Sequence, residues 1–446
     1  MTDETRIVSA LGALADELPP VHVDLDQVVR QAHRRRGRRQ AALVAAASTV
    51  VAGSLVATMI TLTAGREPPG QPPALANDAG WSVTPVPVLG NRASLNAVAP
   101  VTQSDVWAVG SFFNDDRGHD NKTVIVHWDG QRWSPAGPTN PGTFMDVAAT
   151  SSTDVWAVGG ATDRTLALHW DGRAWTATPT PSPTPGPGLS SSLNGVAPIA
   201  SDDVWAVGCQ FSAGGLYQST PLAQHWDGQR WAEVELPPIP DAPQGACLQS
   251  VAARGPKDVF AVGHIYGGNV KGGDLTLHWD GTRWSVIPRL TGGTAPYYPN
   301  KVIVVGEQVL AVGQSYSLTT TSAAVLRWDG SGWQPTLLDA LQLSGATSDG
   351  DGGVVVAGQA AGTGPGAFFH STGGEFRPAE KLPNGLASFT ALATVPGTDI
   401  VWAVGFPRID YGQPAARISP GQTIPPITTR QLPTVIPWAG FMSLGG

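Results

Sequence analysis

Apolar and polar residues alternate in short runs along most of the chain, and one run keeps returning. Val106-Trp107-Ala108-Val109-Gly110 is its clearest copy, and related segments end at Gly159, Gly208, Gly263, Gly313, Gly358 and Gly405. These seven glycines are spaced by 45–55 residues. A period of ~40–50 residues built only from strand patterns predicts a β-propeller. Each unit carries four strand patterns; in the first they lie near Leu95–Ala99, Val106–Gly110, Val124–Trp128 and Trp133–Pro135. The pattern therefore predicts an all-β, seven-bladed propeller over residues 80–420.

Turn residues punctuate the runs. Asp129-Gly130, Asp171-Gly172, Asp227-Gly228, Asp280-Gly281 and Asp329-Gly330 separate alternating segments. Asp-Gly suits a two-residue type I′ hairpin, whose central residues both need positive φ. That turn would pair Trp128 with Gln131, His127 with Arg132 and Val126 with Trp133. Val126, Trp128 and Trp133 would then share one blade face. Fifteen of the sixteen tryptophans sit at repeat positions, Trp438 being the other, and they are expected to pack between blades. The sixth unit is degenerate, with His370 to Phe376 in the slot that elsewhere reads HWDGxxW. The seventh lacks a fourth strand pattern, while Gly80–Pro85 resembles Arg283–Pro288. The segment at Trp81 is therefore expected to supply the outer strand of the last blade. Residues 421–446 form a tail without a repeat match.

The Gly159-Gly160 strand end, the Trp170-Asp171 turn and a Trp-bearing strand followed by prolines resemble kelch repeats. The D-G-x-x-W core is also similar to Asp-box turns. Departures are the His-Trp-Asp in place of Tyr-Asp and the mostly single glycine. The resemblance implies a seven-bladed propeller and no particular activity.

The first 79 residues read differently. Residues 41–64 carry no charge and would span roughly 36 Å as a helix, enough for a ~30 Å hydrocarbon core. Five arginines between His33 and Arg39 precede them, which predicts a cytoplasmic N-terminus, a single transmembrane helix and residues 65–446 outside the cell. A cleaved signal peptide with Ala74-Leu75-Ala76 at its end is the competing reading; the apolar run exceeds the usual ~7–15 residues. Residues 65–79 are a Pro-rich spacer. In the stub, residues 1–40, Ile7, Leu11, Leu14 and Leu18 form an apolar helical stripe, and Asp24 to Gln27 read as a capping box. The stub resembles membrane proteins associated with extracytoplasmic-function sigma factors, which implies a cytosolic regulator as partner. No cysteine precedes Cys209, so the His/Cys zinc motif of many anti-sigma domains is missing.

Composition narrows the function classes. Charged residues are 14%, against 54 Gly and 39 Pro, which fits many short strands and turns. The net charge is −8, and residues 41–446 hold 20 basic against 29 acidic side chains. An extensive nucleic-acid surface is excluded, and anionic polymers are disfavoured.

Candidate chemistry is sparse. His127, His169, His225, His278 and His370 fall on successive blades and cannot converge on a metal. Asp105, Asp154, Asp203, Asp258 and Asp399 precede second strands, where Asp caps local backbone. Asn114 to Asp120 is an acidic loop without EF-hand spacing, and Pro179 to Gly188 is an extended inter-blade loop. Cys209 and Cys247 map to one rim on neighbouring blades and are expected to form a disulfide. All six tyrosines fall in loops of that same rim. Tyr217, Tyr266, Tyr297, Tyr298, Tyr316 and Tyr411, with Phe112, Phe113 and Phe406, are the candidate partner-binding residues. No nucleophile elbow, P-loop, zincin or dinucleotide motif occurs, so no catalytic residue, metal or cofactor is expected. An enzyme site over the channel, near Asn96, Asn194, Gln249 and Thr390, is one alternative; signalling through the stub is another. The leading expectation is a membrane-anchored extracellular module that binds a protein or glycan.

Overall fold

The computed structural model describes residues 75–76, 81–87, 92–113, 121–161, 164–182, 190–212, 215–242, 245–267, 272–290, 295–317, 321–360, 366–379, 386–407 and 438–443. The chain divides into two bodies, Met1–Pro68 and Pro69–Gly446, and every described residue belongs to the second. The expected transmembrane span, the stub and the Asn114 to Asp120 loop lie outside the described residues. Among the described residues no helix is long and apolar enough to cross a membrane.

The described strands build an all-β propeller of six antiparallel sheets, five with four strands and one with nine. Each of the first five repeat units makes its own sheet. In unit 1 the strands are Arg92–Thr102, Asp105–Phe113, Asn121–Trp128 and Trp133–Pro135, from the channel outward. The seven separate sheets expected from the repeat are thus six, because units 6 and 7 merge. One backbone pair, Gln359 with Ser388, joins them. Unit 7 is assembled from both ends of the chain. Its inner strands are Leu386–Thr394 and Ile400–Pro407; Trp438–Ser443 is the third and Trp81–Pro85 the fourth. Trp81 pairs with Met442 as Trp133 pairs with Trp128, so the N-terminal segment takes the outer position its sequence indicated. The third strand corrects the expected domain boundary at 420: Trp438–Ser443 carries no repeat motif, yet its backbone completes the ladder.

The turn register also departs from expectation. Trp128 pairs with Trp133, His127 with Ser134 and Val126 with Pro135, leaving a four-residue turn. Only Gly130 takes positive φ (92°), so Asp129 is not in the conformation a type I′ turn requires. Instead its carboxylate Oδ1 accepts the amides of Gln131 and Arg132 at 2.9 and 2.8 Å. Asp171, Asp227, Asp280 and Asp329 repeat this arrangement. Those amides lower the pKa of all five carboxyls, that of Asp280 to about 2, where the Thr282 hydroxyl is the largest cause. Trp128 and Trp133 still share a face.

The core is a ring of seven apolar clusters, each drawn from two successive units. Five contain an aromatic triad: the second-strand ring of one unit wedges between two tryptophans of the next. Trp107 meets Trp170 and Trp175 at 5.1 and 5.3 Å, and Trp205 meets Trp279 and Trp284 at 4.9 and 5.1 Å. Trp156 and Trp402 do the same, and Phe260 stands in for tryptophan between units 4 and 5. Each edge-to-face pair adds about 0.5–1.5 kcal/mol beyond the area buried. The repeated tryptophans therefore hold adjacent units together.

Every inner strand carries a β-bulge opposite its repeat glycine. A Cβ on Gly110 would lie 1.9 Å from the Ser94 carbonyl oxygen, and the other six glycines meet the same approach at 1.9–2.2 Å. That contact explains why the motif ends in glycine. The bulge also turns the side chains of Asn96, Asn194, Asn300 and Thr390 toward the neighbouring unit.

Candidate functional site

Two regions gather polar groups: the central channel and the rim carrying the second-to-third-strand loops. The channel, about 810 Å³, is lined by inner-strand residues from every unit. The bulged residues Asn96, Asn194 and Thr390, expected at a possible catalytic mouth, are occupied otherwise. Asn96 donates to the Phe144 carbonyl at 2.8 Å, Asn194 to Leu248 at 2.9 Å and Thr390 to Leu95 at 2.9 Å. Asn300 donates to Leu343 at 3.1 Å in the same way. These bonds join units 1 to 2, 3 to 4 and 5 to 6, and Thr390 to Leu95 joins unit 7 to unit 1. Gln249 lines the channel without a place in this stitching.

Sequence reasoning missed an ion pair across the channel. Lys301 of unit 5 reaches Asp146 of unit 2, with Nζ 3.1 Å from Oδ2 and 3.3 Å from Oδ1. The Asp146 side chain is 7% exposed, and its oxygens also accept the amides of Val147 and Val196. The signal was legible: at the slot after the bulge the units read Ala97, Asp146, Gly195, Ser250, Lys301, Gly345 and Ala391. Only two carry charge, and the charges are opposite.

The other rim holds the repeat histidines. His127, His169, His225, His278 and His370 each place Nε2 2.7–2.8 Å from an aspartate, respectively Asp105, Asp154, Asp203, Asp258 and Asp349. The aspartates thus engage histidine; the backbone capping expected of them is seen among these five only at Asp349, which joins the set in place of Asp399 and accepts the amides of Asp351 and Gly353. His127 and His169 also lie against the Trp107 and Trp156 rings, at 4.3 Å. They brace the framework, and among the described residues no group of three metal-ligating side chains forms.

The tyrosine rim is partly reassigned. Phe112 and Tyr297 are 8% and 9% exposed and belong to apolar clusters, so neither can meet a partner. Both sit on strands, where alternation turns them inward. Phe113 ends the second strand of unit 1 opposite Asn121, away from the tyrosines. Tyr217 and Phe406 lie on described strands but their side chains are outside the described set, as is Tyr411 entirely. Three of the nine candidates come together: Tyr266, Tyr298 and Tyr316, at units 4 and 5. Tyr316 is 48% exposed and the other two are half-buried. His264 lies beneath, edge-on to Tyr298 at 5.6 Å and to Tyr266 at 6.3 Å. Burial pushes the His264 imidazole down to about 4, so it is neutral at pH 7. Burial also raises the Tyr266 and Tyr298 hydroxyls.

His264 was not singled out from sequence, although a register argument finds it. Cys209 and Cys247 form a disulfide between units 3 and 4, with Cα atoms 5.0 Å apart. Cys209 follows its repeat glycine, as His264 follows Gly263; Cys247 precedes the residue opposite that glycine, as does Tyr298. The His264–Tyr298 contact therefore occupies, one interface further on, the slot the disulfide fills.

No family model matches the sequence, and no curated protein matches it. Solved structures of similar fold include "YCF48 bound to D1 peptide", 16% identical, TM-score 0.47, covering 76% of this chain and 96% of that one. "Structure of U3-55K" is 13% identical, TM-score 0.47, covering 82% and 99%.

Proposed function

We propose that this chain is a non-catalytic interaction module whose binding surface is the rim formed by Tyr266, Tyr298 and Tyr316. The observation that carries the reading is the separation of aromatic types. The tryptophans whose side chains are described pack between units, whereas these three tyrosines collect on one rim with Tyr316 exposed. Tyrosine supplies rigid apolar area and a hydroxyl at little entropic cost, which suits recognition. We further infer that the nine-stranded sheet is two blades joined at one bridge. Seven repeat glycines, seven bulged strands and seven clusters support a seven-bladed ring.

The uncharged stretch at 41–64 behind its arginines supports a single membrane pass with the propeller outside the cell. A disulfide fits that compartment. Carbonate extraction and protease accessibility on intact cells test this placement; a chain released by carbonate would refute it. The binding rim is tested with a photo-crosslinking residue at Tyr316 in the full chain, and a control at Gln131 on the opposite rim. Crosslinks at position 316 that vanish on combined Tyr266→Ala and Tyr298→Ala substitution are expected. Crosslinks confined to position 131, or none at either, would remove the proposal.

A further inference from the structure

The interface between units 4 and 5 is apolar near the Asp-Gly turns and polar toward the tyrosine rim. Phe260 and Val262 of unit 4 pack into the apolar cluster shared with unit 5. His264 continues that face, and the register pairs it with Asp274, and Val262 with Thr276. Asp274 and Thr276 are 2% and 1% exposed. Among the described residues five buried side-chain polar atoms outside tryptophan lack a hydrogen-bond partner, and three are here: His264 Nε2, Asp274 Oδ2 and Thr276 Oγ1. A buried polar atom without a partner lowers stability, so three on one strand-pair face call for a polar ligand. Above them, Arg289 donates to the Gly272 carbonyl at 2.6 Å and sits 3.9 Å from Asp274 Oδ1. The Tyr298 hydroxyl covers Gly272, 2.8 Å from where a Cβ would sit.

We propose that this cluster, with Tyr298 and Tyr316, binds a neutral polyhydroxylated ligand of the carbohydrate class; the proposal rests on the tyrosine rim being the binding surface. The C–H face of a sugar ring stacks on tyrosine. Its hydroxyls both donate and accept, so they satisfy a carboxylate, a hydroxyl and an imidazole together. Arg289 opposes a cation at this place, and Asp274 opposes an anion. A standard protein partner covers about 800 Å² per side. Among the described residues only Met145, Tyr316 and Leu337 are exposed large apolar side chains, and Tyr316 alone stands at this rim. A small, rigid ligand fits that surface better.

The test is calorimetry on the full chain with neutral oligosaccharides of β-1,4-glucose, α-1,4-glucose, β-1,4-N-acetylglucosamine and α-1,6-mannose. Polygalacturonate and polylysine serve as charged comparators. Saturable binding of one neutral class is expected, weakened at least tenfold by Tyr316→Ala and by Asp274→Asn at unchanged melting temperature. If Asp274→Asn does not fold, Thr276→Val reads the same contact. Neutral binding that ignores these substitutions would overturn the site. Preference for either charged polymer would overturn the ligand class. Absence of sugar binding while crosslinking at position 316 persists would sink the carbohydrate inference and leave the rim reading standing; absence of both would remove both.

Discussion

Adjacent units exchange a hydrogen bond that some interfaces have and others lack, and the gap can be filled by one substitution. Trp133 Nε1 donates to Thr84 Oγ1 at 3.1 Å, and Trp231 Nε1 to Thr178 Oγ1 at 3.0 Å. In each case the acceptor is the third residue after the outer-strand tryptophan of the preceding unit. For Trp284 that position is Val234, and the Trp284 Nε1 is buried without a partner. The backbones correspond: Val234 N donates to Ala223 O at 2.9 Å, as Thr178 N does to Ala167 O at 3.0 Å. Val234 also packs in the cluster that contains Trp284. Val234→Thr keeps the shape and adds the missing acceptor. An unpaired buried donor costs about 1–3 kcal/mol, and a made bond returns about 1. The half-buried hydroxyl loses some hydration, so a net gain of about 1 kcal/mol is expected. In a ring of this size that is a rise of about 1–2 °C in melting temperature, below the ~2–4 °C of smaller domains. Thr178→Val should lose about 1–3 kcal/mol by the same reasoning. Urea unfolding of both variants, each repeated with the paired tryptophan changed to Phe, measures the effect. If Val234→Thr gains as much beside Trp284→Phe as beside Trp284, the bond is not its cause and the argument fails.

Three further outcomes follow from the same geometry. His264 titrates near 6.5 when unfolded and near 4 when folded, so the unfolded chain binds its proton first as pH falls. Stability contributed by the neutral form is intact above pH 6.5 and falls by about 3 kcal/mol by pH 4; His264→Gln should flatten that part of a stability-against-pH curve, and an unchanged curve would contradict it. Lys301→Met leaves the Asp146 carboxylate buried with only backbone donors and should cost about 3 kcal/mol, the low end for broken buried pairs because Lys301 is partly exposed. Adding Asp146→Asn should restore most of it, and strictly additive losses would show that the two charges do not interact. Replacing Cys209 and Cys247 by Ala opens a loop of 38 residues and should cost about 4 kcal/mol on chain-entropy grounds; equal denaturant midpoints with and without reductant would refute a staple.

What the sequence made legible was whatever recurs. Seven glycines fixed the period, tryptophan spacing fixed which faces meet, and the likeness of Trp81 to Trp284 located the outer strand of the last unit. The third strand of that unit was hidden because Trp438–Ser443 owes its place to main-chain pairing, which leaves little trace in side chains. The turn register was hidden because Asp-Gly serves both a two-residue hairpin and a turn closed by the aspartate carboxylate; the side-chain bonds decide between them. Phe112 and Tyr297 read as surface residues in the sequence because loop and strand end differ there by one or two positions, and alternation then reverses the face.

The same logic says where to look for function. A repeat protein must satisfy one packing problem at each interface, and a uniform answer is expected wherever nothing else is asked of it. The slot beside the repeat glycine shows the contrast. Between units 2 and 3 it holds Gly160 against Ser192, close enough that a Cβ on Gly160 would lie 3.0 Å from the Ser192 Cβ. Between units 3 and 4 it holds a disulfide, which ties the neighbouring interface together. Between units 4 and 5 it holds a histidine and a tyrosine, with an aspartate and a threonine beside them that no packing requirement explains. Five units could have supplied a tryptophan-braced ring without these groups. His264 Nε2, Asp274 Oδ2 and Thr276 Oγ1 are buried without a partner inside the fold, so their partner is sought outside it, at the rim where Tyr316 is exposed.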